Sequence, residues 1–496
     1  MQKISNLFLP EVLMLLLCSP LLFTSGEKIS YQCSVFGIYA LFLALMCGVK
    51  FLIFRKLLAT ETTYTRQCSF ITYLILMLNI GCFMNLYIVG FRTGNFHAVV
   101  EYLLGLLKPV SLMISIFLML YYALKEFYQR KKYIVIAFFV MILNFITISG
   151  CNPERFAVAG LESFGIAVML WGITLILPVH NPDADTIRYW CRRLAHGRPL
   201  LFGSYFILNL PLFFILRGWL NHNLSMRVAV VELDKLLFFF NFYCLMLWND
   251  KKRKKQSEPY VKYWELGLLF VSLMAGLLIL GEHGTMIVML LTLILMLFLL
   301  YRKEAGSIAL SVTLIGYCSL WVLNQFVSLE ILNRLFNLQS YQQIRDMNQA
   351  ILESSAGMST TPYAVDMVGS LYTRIEDFSY LNLISVFGRL GAAALILLYL
   401  LVPLLSCIYL HNYKLKNRKY ISSSLFTLAE TGCLLLFSSG AVHVLSNFGL
   451  IFFTGVTLPF ISNGFMNIII MLMLLIPVIY CLREASFHDT SSETRI

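Results

Sequence analysis

The chain reads as an all-α polytopic membrane protein, and three observations lead there. Hydrophobic residues fill 59% of its 496 positions and charged residues only 13%, where soluble domains carry about half and about a quarter. Apolar runs of about 17 to 25 residues, the length that crosses a bilayer as a helix, recur from end to end. Basic residues gather in the short segments between those runs. This is the positive-inside pattern, so the net charge of +12 reports orientation and argues against a nucleic-acid partner.

About fourteen spans are expected, at 8–24, 32–54, 70–91, 103–124, 132–148, 158–178, 199–220, 229–248, 263–280, 285–301, 307–325, 383–410, 423–447 and 465–482. Residues 1–25 resemble a signal peptide in hydropathy, but no small-x-small cleavage site follows, so an uncleaved span is expected. Arg55 and Lys56, Arg130 to Lys132, Arg188 to Arg198, Lys251 to Lys255, Arg302 and Lys303, and Lys414 to Lys419 all fall on one side if every run crosses. That side is the cytoplasm, which puts both termini inside. One extracytoplasmic loop, 326–382, is far longer than the rest. Long connections in compact proteins are usually functional, and its interspersed Phe336, Leu335, Tyr341 and Tyr372 predict short amphipathic helices against the membrane face.

The twelve cysteines lie mostly inside apolar runs, with no C-x-x-C, and read as small packing residues. The eight histidines show no ligand spacing, so no metal-ligating cluster is predicted. Chemistry must instead come from charged and broken segments. The foremost is 447–465, NFGLIFFTGVTLPFISNGF, which crowds Gly455, Pro459 and Gly464 between two apolar runs. Non-helical backbone at membrane depth has to be buried in protein or line a polar cavity, and broken spans of this kind often form binding sites.

This segment resembles the signature of the SEDS family (shape, elongation, division and sporulation proteins), roughly N-x-G-L-x-P-x-T-G-x-x-L-P-F-I-S-Y-G-G. Asn447, Gly449, Leu450, Thr454, Gly455, Leu458, Pro459, Phe460, Ile461, Ser462 and Gly464 fall on it without a gap; Phe452, Asn463 and Phe465 depart from it. IEDFSYLNLISVFGRLG, 375–391, is similar to the family stretch T-D-F-I-F-x-x-x-x-E-E-x-G-x-x-G, with Asp377, Phe378, Gly388 and Gly391 in place and Ser385 and Val386 where the family has two acids. VVELDKLL, 230–237, resembles Q-P-S-E-x-x-K through Glu232 and Lys235, and LGEHGTMIV, 280–288, resembles Q-P-D-x-G-T through Glu282, Gly284 and Thr285. The loop sequence around Arg334, Tyr341, Gln342 and Ala350 has a looser counterpart.

Each motif also has a plainer physical reading. Asp377 suits the N-cap of a helix starting near Tyr380. Glu232 and Lys235 share a helix face at i and i+3 and can form a structural ion pair. A tight turn alone favours a glycine such as Gly284. The intramembrane charges Glu430, Arg389, Lys108 and Glu162 read first as interhelical pairs or snorkelling side chains.

The resemblance divides the chain into an added membrane region at 1–195, a SEDS-like core at 196–485 holding the long loop, and a short cytoplasmic tail at 486–496. It implies a protein of the bacterial plasma membrane, within the lipid bilayer, that polymerises lipid II (undecaprenyl-diphosphate-linked disaccharide-pentapeptide) into glycan strands for cell shape, division or sporulation. It implies Asp377 as the catalytic carboxylate. Glu232, Lys235, Glu282, Thr285, Arg334, Thr454, Pro459 and Ser462 would bind substrate. Arg334, Lys235 and a divalent cation (Mg or Mn) are the candidates to offset diphosphate charge, and a class B penicillin-binding transpeptidase is the implied partner. The alternatives are a catalytically inactive SEDS-like scaffold of envelope assembly, a lipid-linked sugar flippase, or an O-antigen-type polymerase.

Overall fold

A computed structural model describes residues within 8–51, then 66–93, most of 230–246, 263–301, 303–326, residue 349, 379–417, 423–451, 455–462 and most of 470–485. Every regular element among these described residues is helical and none is a strand. The labelled helices are α1 (Arg66–Thr93), α2 (Tyr263–Leu280), α3 (His283–Met296), α4 (Lys303–Phe326), α5 (Ser379–Lys416) and α6 (Ser423–Asn447). Residues 230–246 and 470–485 are helical wherever they are described. The expected spans at 103–124, 132–148, 158–178 and 199–220 lie outside the described residues.

Among the described residues, two helices are long and apolar enough to cross a membrane, and they occupy different places. In α5 only 28% of the most apolar stretch is buried, against 89% in α6. So α6 runs through the interior and α5 forms a flank. The outward face of α5 is apolar, with Leu390 72%, Leu397 58% and Leu405 59% exposed. A large exposed apolar surface is costly in water and suits lipid. Helix α4 is similar, with Ile308, Val312 and Ile315 each more than 60% exposed.

The bounds of α2 and α6 coincide with the spans expected at 263–280 and 423–447. Helices α1 and α4 each begin four residues before the spans expected at 70–91 and 307–325, and other details differ as well. The span expected at 285–301 begins at His283 and ends in a wider π turn, Leu297–Tyr301. The helix expected at 383 starts at Ser379, so the last residues of the long loop are already helical. It also breaks at Gly388 (φ 71, ψ 173), leaving a short first piece, 379–387, that is buried throughout. The turn glycine between α2 and α3 is Gly281 (φ 73) rather than Gly284. Its N–H reaches Leu278 O at 3.1 Å and the next N–H, of Glu282, reaches Leu277 O at 2.9 Å. That pair of bonds is a Schellman cap, which needs its left-handed residue one position past the helix end; Gly284 is inside α3 and buried.

One continuous apolar core reaches from Met14 to Ala485. Helix α1 packs on α5: Tyr73 Oη donates to the carbonyl of Tyr399 at 2.9 Å, and Phe83 lies beside Phe387 with ring centroids 6.0 Å apart. Gly81 meets the turn at 458–462 so closely that a Cβ there would lie 2.7 Å from Ile461 Cα. Backbone cannot move aside as a side-chain tip can, so only glycine permits this approach. A helix from the N-terminal region therefore braces the broken segment.

At the other end of α5 and α6, a buried ionic cluster joins the two. Lys414 Nζ contacts Glu430 Oε2 at 2.5 Å and Thr427 Oγ1 at 3.2 Å. His411 Nδ1 lies 3.4 Å from Glu430 Oε1. Glu430 is wholly buried. Removing one partner of such a pair costs about 3–5 kcal/mol, whereas replacing both with apolar groups of similar size is close to neutral. Glu430→Gln is thus expected to lower the thermal midpoint of the detergent-purified protein more than the double change Lys414→Met, Glu430→Leu does. Equal losses would show that the pair is not desolvated.

Candidate functional site

The broken segment explains its own sequence. Leu458 O accepts from Ile461 N at 3.2 Å, from Ser462 N at 2.8 Å and from Ser462 Oγ at 2.7 Å. Pro459 and Phe460 are the two central residues of this turn. Proline pre-sets the φ of the first, and the second must have positive φ if the turn is of type II. Phe460 has φ 70. A bulky residue in that region is strained by about 1–2 kcal/mol, and it is held there by burial, since the ring is only 2% exposed. Ser462 completes the motif by closing the turn with both its N–H and its hydroxyl. L-P-F-I-S therefore spells a turn that meets its own polar demand where no water can.

The first part of the signature has an equally direct cause. Helix α6 ends in a Schellman cap: Leu450 N reaches Leu445 O at 3.0 Å and Gly449 N reaches Ser446 O at 3.1 Å. Gly449 takes the left-handed position with φ 69. Asn447, one turn past His443, donates its Nδ2 to the His443 carbonyl at 2.8 Å.

His443 is the residue that sequence reasoning missed. It is wholly buried in α6. Its Nδ1 lies 2.5 Å from Val456 O, in the broken segment, and its Nε2 accepts from Tyr380 N, at the start of α5, at 3.2 Å. A carbonyl can only accept, so the ring proton sits on Nδ1 and leaves Nε2 as acceptor. Asn447 Nδ2 lies 3.4 Å from the same Nε2. One imidazole thus joins α6, the broken segment and the helix that follows Asp377 by two residues. The only hint in the sequence was H-x-x-x-N, which puts His443 and the signature Asn447 on one helix face.

Glu232 and Lys235 form an ion pair at 2.5 Å, with side chains 7% and 9% exposed. Asp234, between them and 2% exposed, is a third buried ionisable group in this short stretch. Glu282 and Thr285 stand together at the α2–α3 joint, both half-buried. Pro459 and Ser462 are buried in the turn just described. Asp377, Arg334 and Thr454, with the looser candidates Tyr341, Gln342 and Ala350, lie outside the described residues. Ser385 and Val386, at the positions of the two family acids, are buried, and the Ser385 hydroxyl donates to Asn382 O at 2.9 Å. No group of three or more metal-ligating side chains occurs among the described residues.

The strained turn makes a sign prediction. At an ordinary buried position alanine is better tolerated than glycine, but at positive φ the order reverses by about 1 kcal/mol. Phe460→Gly is expected to melt at a higher temperature than Phe460→Ala, although both fall below the parent protein for loss of the ring. The opposite order would mean that residue 460 is not left-handed.

Compared with known proteins, the chain matches no family and no curated protein. A structural similarity is found to a chain solved in "Structural coordination of polymerization and crosslinking by a peptidoglycan synthase complex", with 18% identity and a TM-score of 0.38, over 65% of this chain and 97% of that one. Overlap this loose does not assign an activity.

Proposed function

We propose that the chain is a SEDS-like, multi-pass membrane protein of cell-wall synthesis that polymerises lipid II at the outer face of the plasma membrane. What carries this reading is the segment from Asn447 to Ser462: among the residues that match the family signature, Gly449 caps α6, and Leu458, Pro459 and Ser462 build a self-satisfied turn. The buried Glu232–Lys235 pair adds weight. Charges placed in an apolar phase cost at least about 2.5–3.5 kcal/mol each on insertion scales, so their presence favours a functional cavity.

In this reading Asp377 takes the proton from an acceptor sugar hydroxyl. The hydroxyl oxygen attacks the anomeric carbon of the donor, the bond from that carbon to the diphosphate oxygen breaks, and the lipid diphosphate leaves. Lys235 and Arg334 face the charge that grows on the diphosphate, and stabilise the transition state more than the ground state. A planar guanidinium suits two phosphate oxygens at once. Glu282, Thr285, Thr454, Pro459 and Ser462 shape the groove for the substrate. A divalent cation could share the diphosphate, and a penicillin-binding transpeptidase is the expected partner, since strands once polymerised have to be crosslinked.

One observation favours a second reading, an inactive scaffold of the same fold. Ser385 and Val386 replace two acids of the family pattern, and both are packed into the buried first piece of α5 with no carboxylate to offer. Purified protein with fluorescent lipid II separates the two. The enzyme reading expects glycan polymer from the parent protein and a loss of about 100-fold or more in Asp377→Asn, the range seen when general-base catalysis is removed. Equal polymer from both proteins would take Asp377 out of its role, and no polymer from either would favour the scaffold.

A further inference from the structure

The first amides of any helix lack acceptors within the helix, because their partners would lie before its start. Tyr380 N is one of these in α5, and its acceptor comes from a residue 63 positions away, His443 Nε2. On the other side, Val456 O lies in the non-helical segment that follows α6, and His443 Nδ1 donates to it. Both ring nitrogens are thus spent on main chain outside the helix that carries the ring. Packing alone would not require this, since an apolar residue of the same size could fill the space. Asn447 adds a buttress by holding the His443 carbonyl one turn further along α6.

We infer that His443 is a positioning residue of the outer-face site, fixing the start of α5 against the broken turn through its two hydrogen bonds. This rests on the proposed function insofar as α5 begins just after Asp377 and the turn holds Pro459 and Ser462. A rigid planar ring with one donor and one acceptor sets both the distance and the relative angle of the two segments. Catalytic groups a fraction of an ångström out of place lose rate without losing affinity. His443 touches neither substrate nor reacting atoms in this account. It acts by keeping two main-chain elements in register.

The test compares three full-length variants in detergent. His443→Phe keeps the shape and removes both bonds, His443→Gln retains one donor and one acceptor, and Val442→Ala is a buried core change one residue away that removes neither bond. Hydrogen exchange of the peptide covering 379–388 is expected to speed up about tenfold or more in His443→Phe, to recover to within about threefold in His443→Gln, and to stay near the parent in Val442→Ala. With fluorescent lipid II, His443→Phe should lower kcat about tenfold or more while KM stays within about twofold, and His443→Gln should recover most of the loss. Unchanged exchange at 379–388 in His443→Phe overturns the inference. So does a kcat loss no larger than that of Val442→Ala at matched thermal midpoint. If the parent protein makes no polymer, the glycosyltransferase reading fails and the exchange contrast alone decides the role of His443.

Discussion

A main chain that leaves helical geometry inside a membrane has to find every hydrogen-bond partner within the protein. The non-helical segment 455–462 finds such partners within the protein, and much of the described architecture follows. Leu458 O is satisfied by the turn itself. Val456 O is satisfied by a histidine from α6. The helix end just before is sealed by a Schellman cap at Gly449. Each solution uses a residue type that the others cannot replace: a proline and a serine for the turn, a glycine for the cap, an imidazole for the cross-link. The sequence signature is thus the trace of a backbone problem.

Tight packing follows from the same constraint. A turn buried this deeply admits neighbours only at close range, and Gly81 of α1 lets helix and turn main chains come nearly into contact. The first piece of α5 lies buried before the Gly388 break, whereas the rest of the helix presents leucines outward. Polar demand is concentrated along α6. Glu430, Ser438, His443, Ser446 and Asn447 are all buried there, so of the two long described spans the more enclosed is also the less apolar. The ionic cluster at Lys414 and the imidazole at His443 tie α6 to α5 at opposite ends.

Much of this was legible in the residues. Apolar run length gave α2 and α6 to the residue, because span length is set by bilayer thickness and not by tertiary detail. The i, i+3 spacing of Glu232 and Lys235 was enough to expect their contact. What stayed hidden depends on partners far away in sequence. Apolar run length places the start of α5 at 383, whereas Asp377 read as an N-cap places it near Tyr380; the helix begins at Ser379, where an early amide finds its acceptor on α6. Gly284 reads as the turn glycine from its motif alone, while the left-handed residue is Gly281, with φ 73. Gly81 carries no local signature and His443 only its i, i+4 spacing to Asn447: one is defined by what approaches it, the other by what it reaches.

The most direct measurement is the sidedness of the loop that precedes α5 and of the far end of that helix. Single cysteines at Thr360 and Asn417, in a background with the native cysteines removed, would be labelled in intact cells with a membrane-impermeant maleimide. The account predicts that position 360 reacts at once and position 417 only after permeabilisation. Labelling of 417 in intact cells with 360 protected would put acceptor chemistry and helix order on the wrong side of the bilayer, and would contradict it.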